Sequence, residues 1–155
     1  MGKYTASVKD HLILPARVSV TPGREHEFNS MGLAVPDPAA VRLVIDTGSK
    51  RTTLTPGLLR HLRANLGGSA RLITPRGTGH TALFWIRLEF PEAGLAPFPE
   101  ILVARLPMPA ALGQFHGLLG RDLLRRWESC DYQGLRGRYT VRDTPGLLGW
   151  LRLWL

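Results

Sequence analysis

The sequence predicts a mainly β single domain with two short helices, and three observations carry that expectation. The 155 residues include 17 glycines and 12 prolines, spaced so that they cut the chain into short segments. Several of those segments are β-branched or alternate in polarity with a period of two. The apolar and charged fractions, 44% and 21%, belong to a chain that buries a core, and the length suits one compact unit, residues 1–155. No internal repeat or low-complexity tract interrupts it.

Residues 11–20 read as a strand, closed by a turn at Thr21, Pro22 and Gly23. Pro36 and Pro38 remove ladder donors and exclude a central strand over 35–38. Residues 41–45 are β-branched and apolar and stop abruptly at Asp46, Thr47, Gly48 and Ser49. Thr55 followed by Pro56 has the form of an N-cap with proline at N1, starting a helix to about Leu66 that Gly67 and Gly68 end. A hairpin follows, with 71–74 leading through 75–79 into a return strand. There Phe84, Ile86, Leu88 and Phe90 share one face, and Trp85, Arg87 and Glu89 the other. Three prolines make 91–99 a loop, and 101–104 is a buried strand. Gly117, Leu118, Leu119 and Gly120 precede a second helix over 122–127, and 129–132 with 138–141 form a last hairpin. Residues 144–155 close the chain with an apolar stretch anchored by Trp150 and Trp154, too short to span a bilayer and expected to dock.

Charge and composition narrow the function classes. The net charge is +8 with a pI near 10.8, and 17 of the 20 cations are arginine, so the charge persists at any ordinary pH. That balance keeps nucleic acid as a secondary candidate partner. The arginines are scattered from Arg17 to Arg152, and no helix-turn-helix, zinc-knuckle or aromatic RNA-binding signature accompanies them. A solvated basic surface is the simpler reading. The single cysteine, Cys130, excludes an internal disulfide framework and a cysteine-based zinc site, and reads as a small buried hydrophobe. Five isolated histidines offer no metal-ligand spacing, so neither metal nor cofactor is expected. No apolar run approaches the roughly 18 residues of a membrane span. The first residues lack the apolar core of a signal peptide, so the cytoplasm is the expected compartment.

Two pieces carry chemistry. The first is the run from Leu43 to Ser49, in which a carboxylate ends a buried strand and enters a tight Thr-Gly turn. Gly48 permits close backbone approach there, and Thr47 can lock the turn by hydrogen bonding. Alone this is weak, because Asp46 would also serve simply to cap its own turn. The second piece, about 70 residues on, is Gly117, Leu118, Leu119, Gly120, Arg121 and Asp122 running into a helix. Ser49 has no neighbouring base, which argues against a serine nucleophile. Gly77-x-Gly79-x-x-Ala82 mimics a dinucleotide fingerprint, but a strand follows it where a helix is required. Trp85 is equally placed to line a substrate pocket or to fill space.

An aliphatic strand into Asp46-Thr47-Gly48-Ser49, a glycine-tipped hairpin, then Leu118-Leu119-Gly120-Arg121-Asp122 before a short helix: this resembles the retropepsin-like (retroviral-type) aspartic proteases, bacterial single-domain type, over about residues 40–142. The resemblance implies a closed acid-protease β-barrel, homodimeric, with a flap over an extended peptide or protein substrate. It implies Asp46 as the catalytic aspartate, with Thr47, Gly48 and Ser49 as its loop. Arg76, Gly77, Thr78 and Gly79 would form the flap, its tip at Gly77, Thr78 and Gly79. Leu118, Leu119 and Gly120 would pack around the loop, with Arg121 and Asp122 in a polar network buttressing the dimer. Lys50 and Arg51 stand where relatives often carry an acidic pair, so the charges beside the site are wired differently.

Elementary chemistry sets a condition of its own. Aspartic proteolysis needs two carboxylates about 3 Å apart sharing a proton, and the chain holds one Asp-Thr-Gly. A two-fold homodimer supplies the second copy. The expected activity is therefore that of a dimeric aspartic endopeptidase. The alternative from another class is a catalytically inactive dimeric binding module of the same fold, for a protein partner or nucleic acid.

Overall fold

The computed structural model describes residues 2–8 and 10–143. Leu14, Ala16 and Val18 alternate inward along β2 (Ile13–Ser19), and Val41, Leu43 and Ile45 do the same along β3 (Ala39–Ile45), which follows β1 (Lys3–Ser7) and β2 in the chain. The remaining strands are β4 (Thr53–Leu54), β5 (Asn65–Thr74), β6 (Gly77–Phe90), β7 (Leu95–Arg105), β8 (Gly117–Leu119), β9 (Ser129–Gln133) and β10 (Arg138–Arg142). Six of them close in the order β2-β3-β8-β4-β7-β6, and β6 returns to β2 through Arg17↔Glu89, Val18↔Leu88 and Ser19↔Arg87. The β3–β8 and β4–β7 pairs are parallel and the other pairs antiparallel. Closure removes the exposed edges that an open sheet would leave. Leu14, Leu43, Ile86, Val103 and Leu119, all fully buried or nearly so, fill the interior. Truncating one of these to alanine costs about 2–5 kcal/mol. β5 extends the sheet outward from β6, and β1, β10 and β9 form a separate three-stranded sheet.

Among the described residues three α-helices, not two, decorate the barrel: α1 (Pro22–Ser30), α2 (Pro56–Leu62) and α3 (Arg121–Leu124). The expected turn at Thr21, Pro22 and Gly23 is the start of α1. Thr21 accepts the Arg24 N–H at 3.2 Å and Pro22 sits in the first turn. Only Phe28 of α1 is buried, so the apolar periodicity that would reveal a helix is missing. Arg24 and Arg63 stack over the Phe28 ring at 4.6 and 4.8 Å.

α2 begins as expected but stops at Leu62, because Arg63 takes the left-handed conformation (φ 50°). Gly67 and Gly68 therefore serve β5. A β-carbon at Gly67 would strike the Leu102 and Trp85 side chains, and the pairing with β6 slips between Leu66 and Gly68. The expected loop over 91–99 is shorter, since β7 already pairs at Leu95 with Phe90 and at Phe98 with Leu88. Two register shifts there leave Pro97 and Pro99 outside the paired positions. α3 is shorter than the expected 122–127 and starts at Arg121. The last hairpin, β9–β10, matches expectation. The docking segment read in 144–155 lies outside the described residues. No helix among the described residues is long and apolar enough to cross a membrane.

Candidate active site

β3 carries its buried run to Ile45, which pairs with Leu119 of β8, and the Asp46 N–H then donates to the Leu119 carbonyl at 3.0 Å. The chain turns there. The Gly48 N–H donates to Asp46 Oδ1 at 2.9 Å, and the Ser49 N–H to the Asp46 carbonyl at 3.2 Å. A β-carbon at position 48 would sit 3.2 Å from that carboxylate oxygen, so glycine is what lets the carboxylate fold over its own turn. Asp46 is half-buried, while Thr47 and Gly48 are exposed. A carboxylate is thus held by backbone geometry at the surface end of a buried strand.

The second motif brackets this loop. The Arg121 N–H donates to the Ser49 carbonyl at 2.9 Å and the Asp122 N–H to the Lys50 carbonyl at 3.3 Å. The Ser49 hydroxyl donates to the Arg51 carbonyl at 2.8 Å, so it stabilises the loop and activates nothing. Asp122 Oδ1 accepts three donors: the Thr52 N–H at 2.9 Å, the Thr52 hydroxyl at 2.7 Å and the Leu123 N–H at 2.9 Å. Thr52 Oγ1 in turn accepts the Gly120 N–H at 3.1 Å. Thr52 is 1% exposed, so these bonds stand in place of water. In the sequence Thr52 is marked only by a second threonine, Thr53, beside it after a charged pair. Gly120 has to be glycine, because a β-carbon there would lie 2.5 Å from the Arg51 carbonyl carbon. Asp122 therefore acts within the chain, tying α3 to the strand after the loop.

Among solved structures, a retropepsin-like aspartic protease from Rickettsia conorii aligns with 90% of this chain and 89% of its own, at TM-score 0.60 and 16% identity. The fold is retropepsin-like. No protein-family model matches the chain, and no curated protein matches it. At that identity the likeness extends to the retropepsin-like architecture alone.

The residues singled out in the sequence fall into two places. Asp46 and Ser49 are bonded to the segment Leu118, Leu119, Gly120, Arg121 and Asp122; the Gly48 and Ser49 N–H groups hold the turn, not Thr47 as expected, which lies exposed in the lining of a groove. Arg76, Gly77, Thr78 and Gly79 lie at the far end of the β5–β6 hairpin, in a groove with Arg105, Leu106 and Pro107. The hairpin tip is two residues earlier than expected. Its turn is Pro75 and Arg76, Gly77 (φ 122°) opens β6, and Thr78 and Gly79 are ladder residues opposite Ile73 and Leu72. Thr74 accounts for the shift, since its hydroxyl donates to the Gly77 carbonyl and accepts the Arg76 N–H, closing a two-residue turn.

A groove of about 1190 Å³ has Thr47, residues of α3 and Cys130 in its lining. Trp85, Ile101, Leu102, Leu123 and Leu124 supply its apolar surface. Lys50, Arg51, Arg121, Arg125 and Arg126 also line it. Burial pushes the Cys130 thiol up, with the Asp131 carboxylate adding to the shift, which disfavours the thiolate. No group of three His, Cys, Asp or Glu that could hold a metal stands together among the described residues.

Proposed function

We propose that the protein is an aspartic endopeptidase acting as a homodimer, with Asp46 of each subunit forming the catalytic pair. The observation that carries this is the Asp46 loop. One carboxylate per chain, bonded by Gly48 and suspended from the end of β8, stands half-exposed in a retropepsin-like barrel. The Gly48 N–H holds one carboxylate oxygen and leaves the other for water. Two such groups on a rotation axis cannot both ionise, so they share one proton.

The ionised Asp46 takes a proton from water while the protonated one donates a hydrogen bond to the scissile carbonyl. Water oxygen bonds to the carbonyl carbon, giving a tetrahedral diol. Proton transfer to nitrogen then breaks the C–N bond, releasing a carboxylic acid and an amine with no covalent enzyme intermediate. The β5–β6 hairpin serves as the flap, holding an extended substrate by main-chain pairing and excluding water. Dimerisation is a condition of activity in this scheme.

The test is peptide hydrolysis across pH by wild type and Asp46→Asn. Wild type is expected to be most active on the acidic side of neutrality, losing rate as the shared proton leaves with rising pH. Asp46→Asn is expected to lose about 10²–10⁴-fold. Equal activity of the two proteins would eliminate the mechanism.

A further inference from the structure

The groove beside Asp46 carries a charge imbalance that the catalytic scheme does not use. Five cations line it, Lys50, Arg51, Arg121, Arg125 and Arg126, against two carboxylates, Glu100 and Asp122. Asp122 Oδ1 is engaged by Thr52 and the Leu123 N–H, so one of its two oxygens is directed into the chain. None of the five cations forms an ion pair among the described residues, where the salt bridges are Arg17–Glu89, Arg24–Glu27 and Arg87–Glu25. The Arg126 guanidinium stacks over the Phe98 ring at 5.6 Å, a cation–π contact that orients its plane while its N–H groups point outward within that plane. Between the cations lies apolar surface, including Trp85, which is 39% exposed, and Leu102 beside it.

We infer that this groove is a specificity site for substrate segments that combine acidic with apolar side chains. The inference rests on the proteolytic reading of Asp46. An extended peptide rises about 3.3 Å per residue, so a chain whose scissile bond sits at Asp46 comes within a few residues of a groove whose lining includes the next residue, Thr47. Its side chains alternate, which suits a site offering an apolar wall and a cationic rim together. The cations that meet its carboxylates are Lys50 and Arg51 of the loop, Arg121 of α3, and Arg125 and Arg126 just after it. The two-fold axis repeats the groove on the other side of the bond. Acidic residues are therefore favoured on both sides of the cleavage point.

The experiment uses full-length protein and fluorescein-labelled peptides of one apolar framework, with Glu or Gln at alternate positions. Anisotropy with Asp46→Asn measures binding, and cleavage by wild type measures turnover. The Glu peptide is expected to bind about tenfold more tightly than the Gln peptide, as the sum of several partly exposed ion pairs, and to weaken as salt rises. Cleavage should show the same preference in kcat/KM. Lys50→Glu with Arg51→Glu should remove or invert the preference, and Arg125→Gln with Arg126→Gln, at exposed positions, should reduce it. Equal binding and equal cleavage of the two peptides would overturn the inference while leaving the protease standing. If neither peptide is cleaved, the protease reading fails, and a binding preference abolished by the Lys50 and Arg51 changes still supports the acidic-segment site. A single-stranded oligonucleotide of matched charge that competes as well as the Glu peptide would overturn the peptide assignment in favour of a general polyanion surface.

Discussion

Tyr139 shows how a single buried side chain couples this fold to pH. It lies on β10, 1% exposed, with its ring edge-on to Tyr4 at 6.0 Å. Burial is the main cause of a phenol pKa pushed far above its usual range; Tyr4 lies beside the hydroxyl, short of hydrogen-bond geometry. The folded state keeps this proton to higher pH than the unfolded chain, whose tyrosines titrate near about pH 10. The associated stability is complete below that value and falls as pH rises above it towards the folded-state pKa. Tyr139→Phe cannot ionise, and it removes a buried hydroxyl that has no hydrogen-bond partner. Urea midpoints of the two proteins are therefore expected to be similar at pH 7, or slightly higher for the variant, and to separate in the variant's favour above about pH 10. Midpoints that stay parallel through that range would refute the coupling.

At the scale of elements, Thr52 ties the end of the Asp46 loop to a segment about 70 residues on, through Gly120 after β8 and Asp122 in α3. Thr52→Val keeps the shape, deletes one donor to Asp122 and strands the Gly120 N–H in a buried position. The expected cost is about 1–3 kcal/mol in urea unfolding, with most of it recovered in Thr52→Ser, which keeps the hydroxyl. An unchanged midpoint for the valine variant would show that the network does not hold these elements together.

The same scale explains which elements were legible. β6 announced itself because its buried face repeats with the strand period, β3 because it is a β-branched apolar run, and Asp46 because it ends that run against a glycine turn. α1 hid because one buried phenylalanine makes no periodicity, although Thr21-Pro22 carries the same start signal as Thr55-Pro56. β7 hid its first residues behind Pro97 and Pro99, which local rules assign to loops and which two register slips accommodate. The hairpin tip was misplaced for a similar reason. Glycines at 77 and 79 suggested the bend, and the Thr74 hydroxyl decides it. Thr52 left no mark in the pattern, because its role depends on a partner 70 residues away.

At the scale of the whole molecule, the barrel constrains where a second catalytic carboxylate can come from. The six strands already close within one chain through β2 and β6, so a partner completes no strand of the barrel. The other aspartates are committed or elsewhere. Asp122 is taken by Thr52, Asp131 accepts the Ser129 hydroxyl, and Asp143 accepts the Gly2 N–H and contacts the Ala96 N–H. Asp10 lines a different groove, with His11 and His116, and Asp37 is exposed beside Pro36 and Pro38. In the proposed mechanism the second carboxylate is a second Asp46, so proteolysis by that route would be second order in protein at low concentration. Specific activity is expected to fall on dilution in parallel with the dimer fraction measured by sedimentation. It should be restored at the same low concentration by fusing two copies through a flexible linker, which raises the effective concentration of the partner to the millimolar range. Placing Asp46→Asn in one copy of that fusion should abolish the restored activity. Specific activity that holds constant where sedimentation finds only monomer would mean that one chain suffices, and the paired-carboxylate mechanism would fall with it.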